Sequence, residues 1–293
     1  MLTLTFLGVG SAFAKRNHQS NVLLEAWSEG PDRQATPDDT LLIDFGCTGP
    51  WALHALKDKP GFEYLQRNGQ VYYPAIHRIF ITHQHADHIG GLEELALMNT
   101  FVYRDPETGK GFKPQIISSI NILMNLWDHS LKGGLNTIPG RYALLQDYFF
   151  ILALRMGDPQ RDHFQMLKRY RFEPFPTDHI HIERKYDWPS YGLTISDTRT
   201  GDSVFYSGDS RFDYAATADR MQKAKLVFQD VQLFDAPETV HALLSELKTL
   251  PADIKKRTLL YHYDDTWDSG PFNTIQEEFA GFAEPQRRYT LFE

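Results

Sequence analysis

Short apolar runs bounded by polar turn formers set the pattern of the first eighty residues. LTLTFLGV (2–9), SNVLLEAW (20–27), TLLIDFG (40–46) and HRIFITH (77–83) are rich in β-branched and large apolar side chains. Each is too short for a typical helix, so each predicts a strand. The stretch SEGPDRQATPDD between the second and third is dense in Gly, Pro and Asp and reads as a hairpin loop. Two segments switch to helical spacing. Trp51 to Lys57 follows Pro50, which suits a first helical turn. Ile89 to Met98 places Ile89, Leu92, Leu95 and Leu97 at helix-compatible positions.

Residues 99–172 are less regular and hold aromatic clusters, LWDHSLKGGLN (126–136) and YALLQDYFFILAL (142–154). They are expected to form helices and loops inserted into a single domain spanning 1–293. Tyr142, Phe149, Phe150 and Leu154 are expected in the core, while the same aromatic insertion offers a surface for a homodimer. The second half returns to strands: RFEPFPTDH (171–179), YGLTISD (191–197), DSVFYSGDS (202–210), KLVFQDVQ (225–232) and RTLLYHY (257–263). Helical patterns accompany them at DYAATADRMQKA (213–224), TVHALLSELKTL (239–250) and near 273–282. Two mixed sheets packed on each other with helices outside, a four-layer αββα sandwich of the α/β class, accommodate this alternation.

Composition narrows the functional classes. The 293 residues carry a formal charge of −8, the wrong sign for a general nucleic-acid binder. The single cysteine, Cys47, can form no intrachain disulfide, which suits a reducing, cytoplasmic compartment. No apolar run is long enough to span a bilayer, so no membrane partner is expected. Ala12-Phe13-Ala14 imitates a signal-peptide cleavage site, but the positive segment that should precede it is missing and the apolar run is interrupted. A strand followed by a glycine turn is the expected structure there.

The chemistry concentrates in ITHQHADHIGG (81–91), where His83, His85, Asp87 and His88 follow an apolar strand. Burying such side chains is costly unless something pairs them. Residues two apart on an extended chain point the same way, so His83 and His85 can grip one ion. Asp87 and His88 fall where the chain turns into a helix and can face a second ion; Asp87 could alternatively cap that helix. A metal site needs further ligands. His179, Asp209 and His262 each end a strand-like run, where open α/β sheets place their sites. His181 shares the face of His179 and competes with it, and His241 falls inside a helical pattern.

HQHADH (83–88) resembles the HxHxDH signature of the metallo-β-lactamase-fold hydrolases, and the later order His179, Asp209 in SGDS, His262 is similar too. LGVGSAFAKRNHQSN (7–21), the Ser190-Tyr191-Gly192 element and VFQDVQLF with His241 resemble the ribonuclease Z-like branch of phosphodiesterases. The resemblance implies that His83, His85 and His179 hold one divalent ion and Asp87, His88 and His262 a second. Asp209 would bridge them, with a shared hydroxide as the nucleophile. Zinc is the first expectation, with manganese or iron as alternatives. Asp87, His241 and Asp230 form the implied catalytic set, His241 serving the leaving oxygen under orientation by Asp230. No basic, glycine-rich arm is present, which with the negative charge argues against tRNA. The expected activity is a dinuclear metal-dependent phosphodiesterase acting on a small nucleotide or cyclic nucleotide. A lactonase or thioesterase on the same fold, or a ribonuclease Z-like RNase, is the alternative.

Overall fold

A computed structural model describes residues 1–28, 36–180 and 188–293. The apolar runs pair there into two seven-stranded sheets. In the first, β1 (Leu2–Gly8), β2 (Asn21–Ala26) and β3 (Asp39–Ile43) pair antiparallel. Next come β4 (Arg78–Phe80), β5 (Gln115–Ser119) and β6 (Phe150–Leu154), all in parallel. The second sheet repeats the plan. β7 (Phe164–Met166), β8 (Tyr170–Pro176), β9 (Tyr191–Asp197) and β10 (Ser203–Tyr206) are antiparallel. β11 (Ala224–Asp230), β12 (Thr258–Tyr261) and β13 (Gly281–Phe282) continue in parallel. The last strand, β14 (Arg288–Phe292), returns to pair with β1.

Side chains of the two inner faces interlock. Phe6 of β1 meets Phe228 of β11 at 5.4 Å and Tyr261 of β12 at 5.3 Å, centroid to centroid. Phe80 of β4 stacks on Phe164 of β7 at 5.6 Å. Helices α1 (Gly49–Ala55), α2 (Ala86–Ile89), α3 (Leu92–Leu97), α4 (Ile120–Leu126) and α5 (Tyr214–Lys223) flank the sheets. The expected αββα layering is therefore observed. Glu25, buried on β2, accepts from Arg288 Nε and Nη2 of β14, both at 2.8 Å, and from Tyr64 Oη at 2.8 Å. This clasp ties the C-terminal strand into the first sheet.

Three expectations need correction. Residues 99–172 are not only helix and loop: they supply β5, β6 and β7. A parallel strand covered on both faces loses the alternation that reveals a half-buried one, so IISS passed without a strand signal. Of the four expected core residues, Phe149 and Leu154 are buried, but Tyr142 is 80% and Phe150 64% exposed. Phe150 lies on β6, the edge strand, where no further strand covers it. The helical pattern at 239–250 forms a helix only at Leu244–Leu247, and His241 stands in the loop before it. Backbone groups ahead of that helix are engaged elsewhere: Gln232 N donates to Ala242 O, and Leu244 N to Gln232 O. The hairpin loop after β2 lies partly outside the described residues. Among the described residues, no helix is long and apolar enough to cross a membrane.

Candidate metal centre

The parallel strands end on one side, and the loops that leave them carry the chemistry. β3 runs into Asp44, β4 into Thr82 and His83, β10 into Asp209, β11 ends at Asp230, and β12 runs into His262; β8 ends near His179. His83, His85 and His179 bring one ring nitrogen each into a single group, and Asp87, His88, Asp209 and His262 form another. All seven expected ligand residues are thus brought together. His181, the competitor of His179, lies outside the described residues.

In the first group His83 Nε2 stands 2.9 Å from His85 Nδ1, and His179 Nε2 stands 3.2 Å from the same atom. In the second, His88 Nε2 lies 3.2 Å from Asp87 Oδ2, and His262 Nε2 lies 3.5 Å from that oxygen. Asp209 Oδ2 lies between the groups, at 3.8 Å from His83 Nε2, 3.2 Å from His88 Nε2 and 3.4 Å from His262 Nε2. Donors at about 2.0–2.1 Å around a tetrahedral ion stand about 3.3 Å apart, and the two separations from His85 Nδ1, 2.9 and 3.2 Å, lie close to that.

The cluster does not satisfy itself. His88 Nδ1–H donates to Asp44 Oδ2 at 2.7 Å, and His179 Nδ1–H to Val240 O at 2.8 Å. His179 Nε2 therefore keeps its lone pair facing the cluster, and His88 Nε2 faces Asp87 and Asp209. Asp209 Oδ1 is buried without a hydrogen-bond partner, and His88 Nε2, although 3.2 Å from carboxylate oxygens of Asp87 and Asp209, makes no well-aligned hydrogen bond to either. Orphaned buried polar atoms are uncommon and need a reason. A pair of divalent cations supplies one, since each converging lone pair and carboxylate oxygen is a ligand that hard or borderline cations take.

Electrostatics point the same way. Burial holds His83 well below the usual imidazole pKa and lowers His179 to about 4, so both stay neutral and free to ligate. Burial opposes a charge on His88, yet Asp209, Asp87 and Asp44 outweigh it and raise its pKa well above the ordinary value. Burial likewise opposes the charge of Asp87, but His88 and His262 hold its carboxyl far below the usual range. The carboxylates demand positive charge at this point.

Local backbone geometry supports the cluster. Asp44 and His262 both adopt left-handed φ, +62° and +63°, which is rare outside glycine and concentrates where surroundings enforce it. Gly46 lets the β3 loop press onto α2: a Cβ there would fall 1.8 Å from Asp87 O. Asp87 sits in the first turn of α2, with His85 rather than Asp87 as its N-cap residue. Trp188 stacks on His85 at 5.8 Å and 23°. His241 Nδ1 meets Asp230 Oδ2 at 3.0 Å, and its ring lies 4.6 Å from that of His262. Burial raises the Asp230 pKa; burial also opposes a charge on His241, but the hydrogen bond to Asp230 together with the charges of Asp209 and Asp230 outweighs it and raises the His241 pKa.

Asp44 and Thr82 were not singled out in the sequence. Asp44 is fully buried and accepts from Thr82 N at 2.8 Å and Thr82 Oγ1 at 2.6 Å, besides His88. The available signal was an acidic residue ending an apolar strand just before Phe45-Gly46, the same placement that singled out Asp209.

Comparison with known proteins agrees with this geometry. The family described as Anti-Pycsar protein Apyc1 matches residues 2–289. The Anti-Pycsar protein Apyc1 of Paenibacillus sp. (strain J14) is 35% identical over 270 residues, 92% of this chain and 91% of its own. Its namesake from Bacillus phage 010DV004 is 35% identical over 277 residues, 91% of each chain. Among solved structures, the metallo-beta-lactamase fold protein YhfI from Bacillus subtilis superposes with a TM-score of 0.64 at 16% identity, over 98% of both chains. The chain belongs to the Anti-Pycsar protein Apyc1 family and is a metal-dependent hydrolase of the phosphodiesterase type on the metallo-β-lactamase fold.

Proposed function

We propose that this protein hydrolyses the phosphodiester bond of a small nucleotide, a cyclic nucleotide first among them. Membership of the Anti-Pycsar protein Apyc1 family, with its phosphodiesterase-type chemistry, supports a phosphodiester substrate. The carrying observation is Asp209 Oδ2, within 3.8 Å of imidazoles from both groups. His83, His85 and His179 would hold one divalent ion, Asp87, His88 and His262 a second, and Asp209 both. Such ions, zinc before manganese or iron, would lower the pKa of a bound water toward neutrality and offset charge on the phosphoryl oxygens.

The chain's own residues do the rest. Val240 O holds the His179 ring, and Asp44 holds His88, so that their Nε2 atoms face the cluster. His241 engages Asp230 through Nδ1, which leaves Nε2 to carry a proton to the departing oxygen. An alkoxide leaving group needs that proton, whereas the thiolate of a thioester does not, so the His241–Asp230 pair favours the phosphodiester over a thioester. The charge of −8 suits a compact ligand better than tRNA. Exposed Tyr142, Leu144 and Phe150 favour a homodimer, measurable by light scattering, and we place the activity in the cytoplasm.

Protein purified without chelator should contain two equivalents of Zn²⁺ or Mn²⁺ and convert a cyclic mononucleotide to its linear monophosphate. Asp209→Ala should lose both properties. Metal-loaded protein that opens acyl lactones but leaves cyclic mononucleotides, cyclic dinucleotides and short RNA intact would overturn the proposal.

A further inference from the structure

Thr82 is fully buried between β4 and the cluster, and its hydroxyl touches two groups. Oγ1 lies 2.6 Å from Asp44 Oδ2 and 3.0 Å from His83 Nδ1. A hydroxyl has one proton to give, and an ionised carboxylate can only accept. The Thr82 proton therefore goes to Asp44, and the hydroxyl oxygen accepts from His83 Nδ1–H. That places the lone pair of His83 on Nε2, the atom 2.9 Å from His85 Nδ1.

Asp44 performs the same service directly for His88, whose Nδ1–H it accepts at 2.7 Å. One buried carboxylate thus orients an imidazole in each group: His88 by contact and His83 through a hydroxyl. We propose that Thr82 is a positioning residue that relays Asp44 to His83, so that the two halves of the metal centre share one orienting carboxylate. The proposal rests on the reading that His83 and His88 serve different ions.

Thr82→Val keeps the shape of the side chain and removes both bonds. His83 Nδ1–H then loses its buried acceptor, and the ring gains by moving the proton to Nε2, which withdraws the lone pair from the cluster. Loss of such an outer partner typically weakens metal binding about 10–100-fold. Because His88 keeps its bond to Asp44, only one of the two ions should be affected.

The test is Zn²⁺ binding to the apoprotein in competition with a chromophoric chelator. Wild type should bind two equivalents, Thr82→Val one tightly and one about 10–100-fold more weakly, and Thr82→Ser, which restores the hydroxyl, two within a few-fold of wild type. Imidazole ¹⁵N shifts of the metal-free protein give a second readout: His83 should be the Nδ1–H tautomer in wild type and Thr82→Ser. Two wild-type affinities in Thr82→Val, a Thr82→Ser variant as weak as Thr82→Val, or an Nε2–H tautomer at His83 in wild type would each overturn the relay. Wild-type protein that binds no Zn²⁺ would instead sink the metal-centre reading, and the tautomer readout would still decide the role of Thr82.

Discussion

Replacing Asp44 by Asn tests whether the centre depends on a residue that touches neither ion. Three donors converge on this side chain: Thr82 N on Oδ1, and Thr82 Oγ1 and His88 Nδ1 on Oδ2. Asparagine has nearly the same shape but only one acceptor atom. If its NH₂ takes the Oδ2 position, it faces the His88 N–H, and the imidazole must shift its proton to Nε2. That proton then points at Asp87 and Asp209, each 3.2 Å away, where a ligand lone pair is needed. If the amide flips, the NH₂ meets Thr82 N–H, and two buried donors oppose each other at a cost of about 1–3 kcal/mol. Either arrangement should weaken metal binding by about 10–100-fold, equivalent to about 1.4–2.7 kcal/mol. Chelator competition with Zn²⁺ on the apoprotein measures the affinity, and circular dichroism confirms the fold. An Asp44→Asn protein that binds both ions as tightly as wild type would refute the orienting role.

Other consequences are equally direct. His241→Ala should retain both metal equivalents yet lose about 10²–10⁴-fold in kcat on a cyclic nucleotide, with a far smaller loss on a p-nitrophenyl ester whose leaving group needs no proton; equal losses on both would argue against the acid role. Gly46→Ala should displace Asp87, because its Cβ would fall 1.8 Å from the Asp87 carbonyl oxygen; an unchanged metal content would contradict this. Arg288→Met leaves Glu25 buried without its cation and should cost about 3–5 kcal/mol in urea denaturation at pH 8. Burial already raises the Glu25 pKa, and removing the cation raises it further. An acid with a raised folded pKa binds its proton more tightly when folded, so the deficit should shrink as the pH falls toward that pKa and be largest above it. A pH-independent deficit would point to lost packing instead.

Much of this protein is written locally. β9 spans the residues 191–197 that the YGLTISD pattern marks, and the bounds of β1, β2 and β3 fall within three residues of their apolar runs, because short-range alternation and turn formers are sufficient signals. The histidine cluster was legible for a similar reason: four ligand-type side chains within six residues have few bland explanations, and Asp209 and His262 announced themselves by ending apolar strands. What lay outside reach was set by partners far along the chain. IISS becomes a strand only because β4 and β6 lie on either side of it. The 239–250 pattern yields to a loop at His241 because Gln232 claims its neighbours' backbone groups and Asp230 its ring. Asp44 and Thr82 look like ordinary strand-end residues until folding brings β3 beside β4 and seals them from water. Periodicity reports which face a side chain takes within its own element, whereas hydrogen-bond partnership and tautomer depend on which buried atoms the fold places opposite, and that is decided only in three dimensions.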